Sequence, residues 1–341
     1  SIFFSSIIIF SMYSFIGIFY VDIDYENVLS DELRRLFNFL MMTLILYLKI
    51  NDIKQIKLFL LIGIFFDFFK SVSALGIFYL TGEQIVIGSS IPMVVFSISY
   101  LIIQKTKKLK FLGILLFIIP ILIVLLSGSR RSMIGIVIAL FFVIKEKSSL
   151  STLKPIIFAI LFLFFSSNYL NLDLFSSKLN QSIVLIKSVS DDSIEVRNAW
   201  SGRNKLWSYA WEAIKEKPIW GFGFGTNTEV ISIYSFANKK ARVHNAYLKI
   251  WLELGLVGLL ITIFLFLNYF LILKRQYLFS TYLNDNLLSS LVFASYISMI
   301  VTVIVGIFGW SAFHDKSLWL SFTYALSVNK IFINSKHLLS L

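Results

Sequence analysis

Apolar runs of bilayer-spanning length recur from one end of this sequence to the other, and they decide its fold class before any motif is considered. They fall near residues 1–20, 36–48, 56–80, 86–103, 111–127, 132–144, 155–170, 246–273, 288–307 and 317–328. A helix needs about 20 apolar residues to cross the hydrocarbon core of a bilayer. Within lipid the chain must also bond its own amides, which restricts such segments to helix. The sequence therefore predicts an all-α, polytopic helical membrane protein of about ten transmembrane helices, forming one membrane domain over 1–341. Its 15% of charged residues lies well under the roughly 25% of soluble domains. The runs 36–48, 132–144 and 317–328 fall short of the roughly 17 residues a span requires. They must borrow flanking residues or be partial helices buried among the others. The first run is already apolar and has neither the basic n-region nor the cleavage site of a secretory signal. It is read as a true span, with earlier spans expected to be missing ahead of it.

Charge orients these spans. One set of linkers is short and basic: Lys49, Lys54 and Lys57; Lys105, Lys107, Lys108 and Lys110; Lys145, Lys147 and Lys154; Lys274 and Arg275; and a tail with Lys330 and Lys336. The other set begins with Asp22, Asp24, Glu26, Asp31 and Glu32. Basic residues are retained on the cytoplasmic side of short loops, so both termini are expected inside and the long 171–243 loop outside. Long loops are exempt from that bias, and the net basic character of this one needs another cause. Phe175, Leu179, Ile183 and Ile186 recur at helical spacing in it. Residues 203–217 read as a second amphipathic helix, with Leu206, Trp207, Ala210, Trp211 and Ile214 on one face and Pro218 as its stop. Two tryptophans on that face suit a helix at the bilayer surface.

Several chemistries drop out. Without cysteine the chain has no disulfide framework or thiolate site, and three histidines make a His-rich metal centre a poor expectation. No metal or cofactor is expected. The net charge of +12 is explained by cytoplasmic linkers or by an anionic substrate. Nucleic acid is not favoured, because no basic face stands apart from the spans.

The polar groups concentrate between Arg203 and Gly258. Gly221, Gly223 and Gly225 alternate with Phe222 and Phe224. They are read either as amides placed for close approach to an anion or as a loop that turns tightly against the membrane. A dinucleotide-binding turn is rejected, because no strand precedes and no helix follows in the required register. In the Ser127–Ser132 linker, Arg130 and Arg131 lie on the expected outer side, against the bias of short loops. Guanidinium forks match phosphate oxygens, and lipid head groups are the plainer partner. Arg242 comes just before His244-Asn245, which leads into the 246–273 span. Histidine can take a proton near neutral pH, or be an ordinary interfacial residue. Glu253 is expected one or two helical turns inside the membrane, with Lys249 four residues before it on the same face. A buried ion pair and a functional carboxylate are both open for it. Asp67 and Lys70 read as a similar pair, and His314-Asp315 as a second outer polar group.

Taken in order, these residues resemble the O-antigen polymerase and O-antigen ligase superfamily. The matching elements are Ser129-Arg130; Arg203, Leu206 and Trp207; Pro218 with Gly221, Gly223 and Gly225; His244-Asn245; and Glu253 ahead of Gly255-x-x-Gly258. The resemblance covers about residues 127–260. Two residues separate Arg203 from Leu206 where ligases often have three, and fewer spans precede Ser129 than is usual. The resemblance implies a membrane glycosyltransferase of the bacterial inner membrane, using an undecaprenyl-diphosphate-linked glycan without metal or nucleotide sugar. It also implies an acceptor glycan or lipid-linked glycan, with a flippase and a chain-length regulator as further partners. In that reading Arg130, Arg203 and Arg242, with Arg131, face the diphosphate, and His244 accepts the acceptor proton. Glu253 orients His244, while Trp207, Asn245 and the three glycines line the glycan and diphosphate site. Polymerase is the first expectation and ligase the second. A lipid-linked sugar flippase is a third, disfavoured because the polar residues gather in one outer loop rather than at broken helices near a midplane.

Overall fold

A computed structural model describes residues 2–17, 26–59, 61–62, 69, 135–139, 141–142, 203–235, 242–282, 286–308, 319 and 322–331. Among these, every regular element is helical and none is a strand. The helices used below are α1 (Ile2–Ile16), α2 (Glu26–Lys49), α3 (Arg203–Glu216), α4 (Asn227–Tyr234), α5 (Ala246–Tyr282) and α6 (Asn286–Val305). The described residues include two helical stretches long and apolar enough to cross a membrane, Ala246–Thr281 and Leu287–Val305. The expected spans over 86–103, 111–127 and 155–170, most of 56–80 and part of 132–144 lie outside the described residues. So do the helix expected at 175–186, the Asp67–Lys70 pair and His314-Asp315.

The chain divides into two compact units, one of residues 1–56, 201–276 and 306–341, the other of 57–200 and 277–305. The second unit contains α6 and the last turns of α5, where Tyr277 and Phe293 pack with ring centroids 5.2 Å apart. The first unit carries the residues of interest.

In that unit α1 buries Phe3, Ser6, Ile7, Phe10, Ser11 and Ser14, a stripe at the three- and four-residue spacing of one helix face. Small serines in it let neighbouring helices approach closely. Phe3 stacks on Tyr269 of α5 at 5.3 Å, and Phe322 meets both rings edge-on at 5.5 and 4.8 Å. Phe39 of α2 stacks on the fully buried Trp319. The short apolar run 36–48 lies within a longer helix. Helix α2 begins at Glu26 and takes in Asp31 and Glu32, giving 24 residues, or about 36 Å of helix. Its last carbonyls are capped from elsewhere in the chain. The Lys330 ammonium donates to the Tyr47 carbonyl at 3.1 Å and to Asn51 Oδ1 at 2.7 Å, placing a cation at a helix C-terminus.

The other end of α1 leads to the candidate site. Tyr13 donates its hydroxyl to the Leu254 carbonyl of α5 at 3.1 Å. A Cβ on Gly258 would meet Tyr13 Cε1 at 3.2 Å, and one on Gly17 would meet Leu254 Cδ2 at 2.8 Å. Glycine at both positions therefore allows α1 to lie against α5.

Candidate active site

The site is organised by a break in α5. The expected single span over 246–273 is interrupted at Gly255, whose φ of 67° and ψ of −172° are non-helical. Only glycine occupies that region readily. A break inside a helix frees carbonyls on one side and amides on the other, and these need partners. The 217–226 segment supplies them. Phe222 N–H donates to the Leu252 carbonyl at 2.9 Å and Gly223 N–H to the Glu253 carbonyl at 2.8 Å. In the other direction, Leu256 N–H donates to the Pro218 carbonyl at 2.8 Å and Val257 N–H to the Ile219 carbonyl at 3.4 Å. Phe224 N–H reaches the Gly17 carbonyl at the end of α1, at 3.3 Å.

The alternating glycines follow from this docking. Gly221, Gly223 and Gly225 have φ of 74°, 106° and 88°, which glycine adopts without steric cost. A Cβ on Gly221 would lie 2.5 Å from the Gly255 amide nitrogen, and one on Gly255 would overlap the Ile219 carbonyl. The amides of residues 221–224 are engaged with Lys217, α5 and Gly17. Of the two readings open for this loop, the observed contacts are those of a tight turn against a membrane helix.

Helix α3 spans Arg203–Glu216, one residue shorter than the expected 203–217, and Lys217-Pro218 ends it. Most of its apolar face is covered by protein, while Trp211 on the same face stays exposed. Ala210, Ala213 and Ile214 share a core with Val230 and Ile231 of α4 and with Val243 and Leu252. Trp207 lies at the edge of that core and donates its indole N–H to the Val243 carbonyl at 2.9 Å. Arg203 is one turn before Trp207 on the same face and is partly buried. The arginine-bearing end of α3 is thereby tied to the residue preceding His244. Trp211 meets Trp251 edge-on at 5.3 Å.

His244 itself has a φ of 52°. The left-handed region is uncommon for residues other than glycine, and histidine is among the side chains that tolerate it. Such backbone strain clusters at functional sites. Asn245 follows as the N-cap of α5. Its Oδ1 accepts from Tyr247 N–H at 3.0 Å and Leu248 N–H at 3.1 Å, which is the usual work of an Asn in that position. Asn245→Ala is expected to lower stability by about 1 kcal/mol, and Asn245→Ser to restore most of it, as read by thermal unfolding of the purified protein in detergent.

Glu253 is 2% exposed and Lys249 6%, and they pair at 3.5 Å as the four-residue spacing expects. The sequence did not reveal the third partner. Glu253 Oε1 also accepts from Asn227, at 3.3 Å from its backbone N–H and 3.0 Å from its side-chain amide. Asn227 is the first residue of α4, whose Thr226 makes no side-chain cap. Instead Thr226 donates its hydroxyl to the Gly223 carbonyl. Glu253 thus provides the anion that a helix N-terminus favours and clamps α4 to α5 across the break. The sequence had assigned it to orienting His244.

Two further polar residues belong to α4. Both carboxylate oxygens of Glu229 and the Oδ1 of Asn227 are buried without a hydrogen-bond donor, a costly state that calls for a function or a ligand. Thr226-x-x-Glu229 has the spelling of a capping box, so sequence alone would have read Glu229 as a cap. Tyr234, at the far end of α4, has its phenol raised above the ordinary range by burial and then by its hydrogen bond to Glu216. It remains a neutral donor between α3 and α4. Arg242 is exposed, while Arg130 and Arg131 lie outside the described residues.

The structure therefore brings Arg203, Trp207, the three glycines, Asn245 and Glu253 around one broken helix, with His244 at its head. A search of curated proteins gives no match to the chain. Residues 115–263 match the family model described as O-antigen ligase, a span that contains Ser129-Arg130, α3, the glycine loop, His244-Asn245 and Gly255-x-x-Gly258. Members of that family are membrane glycosyltransferase-like enzymes acting on lipid-linked glycans. Through this segment the chain is similar to the O-antigen ligase family, which supports an O-antigen ligase or polymerase assignment.

Proposed function

We propose that the chain is a glycosyltransferase of the bacterial inner membrane that joins undecaprenyl-diphosphate-linked repeat units into a surface polysaccharide. Its spans leave both termini in the cytoplasm and turn the broken-helix site outward. The observation that carries the reading is His244 in a left-handed backbone, one residue from the carbonyl that fastens the Arg203 helix. That arrangement joins a proton acceptor to a guanidinium-bearing element. In the proposed step, an acceptor hydroxyl forms a bond to the anomeric carbon of the donor sugar, and the bond from that carbon to the diphosphate oxygen breaks. The hydroxyl proton passes to His244. Arg203, Arg242 and Arg130, with Arg131 beside it, stabilise the charge that develops on the departing diphosphate. The unpartnered acceptors of Glu229 and Asn227 suit hydroxyl groups of the glycan.

Arg203→Ala is expected to reduce kcat/KM for transfer by about 10²–10³. Arg203→Lys should recover only part of that loss, because an ammonium keeps the charge but not the bidentate fork. Initial rates with a purified lipid-linked donor measure both. A ligase that transfers glycan to lipid A-core or protein is the second reading, favoured by the description of the matched family model. A deletion strain separates them. Loss of a polymerase leaves single repeats on the final acceptor, whereas loss of a ligase strands polymer on the carrier lipid. Single repeats are the expected product, and stranded polymer overturns the polymerase in favour of the ligase.

A further inference from the structure

The turn after α3 carries two exposed large apolar side chains. Ile219 is 54% exposed and Trp220 56%, although their own backbone is fixed. The Pro218 and Ile219 carbonyls hold the amides of Leu256 and Val257, and the Trp251 indole donates to the Pro218 carbonyl at 3.0 Å. Trp211, 44% exposed, stands beside Trp251. The turn is therefore pinned at one height along α5, at the first residues below the break.

What lies below that height differs from what lies above it. Leu256, Leu260, Ile263, Phe264, Leu267 and Leu271 are all exposed, a stripe at helical spacing that starts directly under the turn. No large hydrophobic residue of 246–255 is exposed to that degree. From Leu256 to Arg275 the helix runs 20 residues, about 30 Å, the thickness of a bilayer hydrocarbon core. The break at Gly255 thus coincides with one boundary of a membrane-thick segment, and Lys274-Arg275 with the other.

We infer that the Pro218–Trp220 turn, together with Trp211, is an anchor for the head-group layer of the bilayer. Tryptophan favours that layer, where its ring is shielded and its N–H stays hydrated. Ile219 and Trp220 continue the lipid-facing stripe of α5, so the surface that covers that stripe also meets the turn. The anchor fixes the height of the glycine loop, and through it of α3, α4 and His244, relative to the membrane surface. In this arrangement Glu253 and Lys249 lie on the outer side of the break, within the cap, rather than one or two turns inside the hydrocarbon.

The absence of cysteine from the sequence makes the test direct, because each introduced cysteine is the sole thiol. Ile219→Cys, Trp220→Cys, Leu260→Cys and Lys205→Cys variants of the whole chain are spin-labelled. They are then reconstituted in phosphatidylethanolamine and phosphatidylglycerol vesicles, where collisions with oxygen and with a water-soluble nickel chelate are compared. Leu260 is the lipid-facing reference and Lys205, exposed on α3, the aqueous one. Labels at 219 and 220 are expected between the two, with oxygen favoured over nickel. Labels matching Lys205, or shielded from both reagents as by a second copy of the chain, overturn the anchor. Since the readout does not involve catalysis, its failure leaves the proposed transfer chemistry standing.

Discussion

His244→Ala is expected to reduce glycan transfer by about two to four orders of magnitude, the usual contribution of a positioned general base. The variant should still insert in the membrane. Alanine changes two things at once, because residue 244 has a φ of 52° and a Cβ there without a polar side chain adds backbone strain. His244→Asn separates them. Asparagine tolerates the left-handed conformation but cannot accept a proton at working pH. Both variants should lose transfer to a similar extent, with only the alanine variant losing thermal stability. An asparagine variant that keeps its rate would assign His244 to backbone geometry and remove the general base from the mechanism.

Gly255→Ala should undo the assembly of the site rather than its chemistry. The new Cβ would overlap the Ile219 carbonyl in a φ/ψ region nearly closed to other residues. Relief requires α5 to straighten or the 217–226 segment to leave. Either movement breaks the bonds from Phe222 and Gly223 to α5, at 2.9 and 2.8 Å, and the 2.8 Å bond from Leu256 to Pro218. Backbone strain of about 1–3 kcal/mol and the loss of those bonds act together. The expected result is loss of transfer, a lower unfolding temperature and rapid proteolysis within 217–226, with helix content retained. Gly258→Ala should also be costly, since its Cβ would overlap Leu254 Cβ and crowd the Tyr13 ring at 3.2 Å. Gly306→Ala, whose nearest neighbour is at 3.6 Å, should be silent. Equal behaviour of Gly255→Ala and Gly306→Ala would contradict the docking of the loop on the break.

Local features of this region were legible in the sequence. Helix α3 stood out through its Leu206, Trp207, Ala210 and Ile214 periodicity and its Pro218 stop, and Lys249–Glu253 through four-residue spacing. His244-Asn245 marked a helix entry. The break did not stand out, because glycine is common in membrane helices that run straight. The partners of its freed backbone groups lie some thirty residues earlier, beyond any local pattern. The same non-local pairing hid the capping of α4 by Glu253 and made the glycine run resemble an anion-binding loop. The amphipathic face of α3 was correctly found, but periodicity cannot tell a protein partner from a lipid surface. Ile219 and Trp220, which fit neither face of α3, share the exposed apolar surface with Trp211.

The central claim, that this broken-helix cap makes glycosidic bonds with a lipid diphosphate as leaving group, is tested most directly by stoichiometry. The purified full chain is given an undecaprenyl-diphosphate-linked glycan and its acceptor on the same side of the membrane. Extended glycan and free undecaprenyl diphosphate are then counted together. The expected result is one carrier diphosphate released for each glycosidic bond formed, with both lost in His244→Asn. Carrier lipid moved across the bilayer without bond formation, or release without extended glycan, would contradict the account.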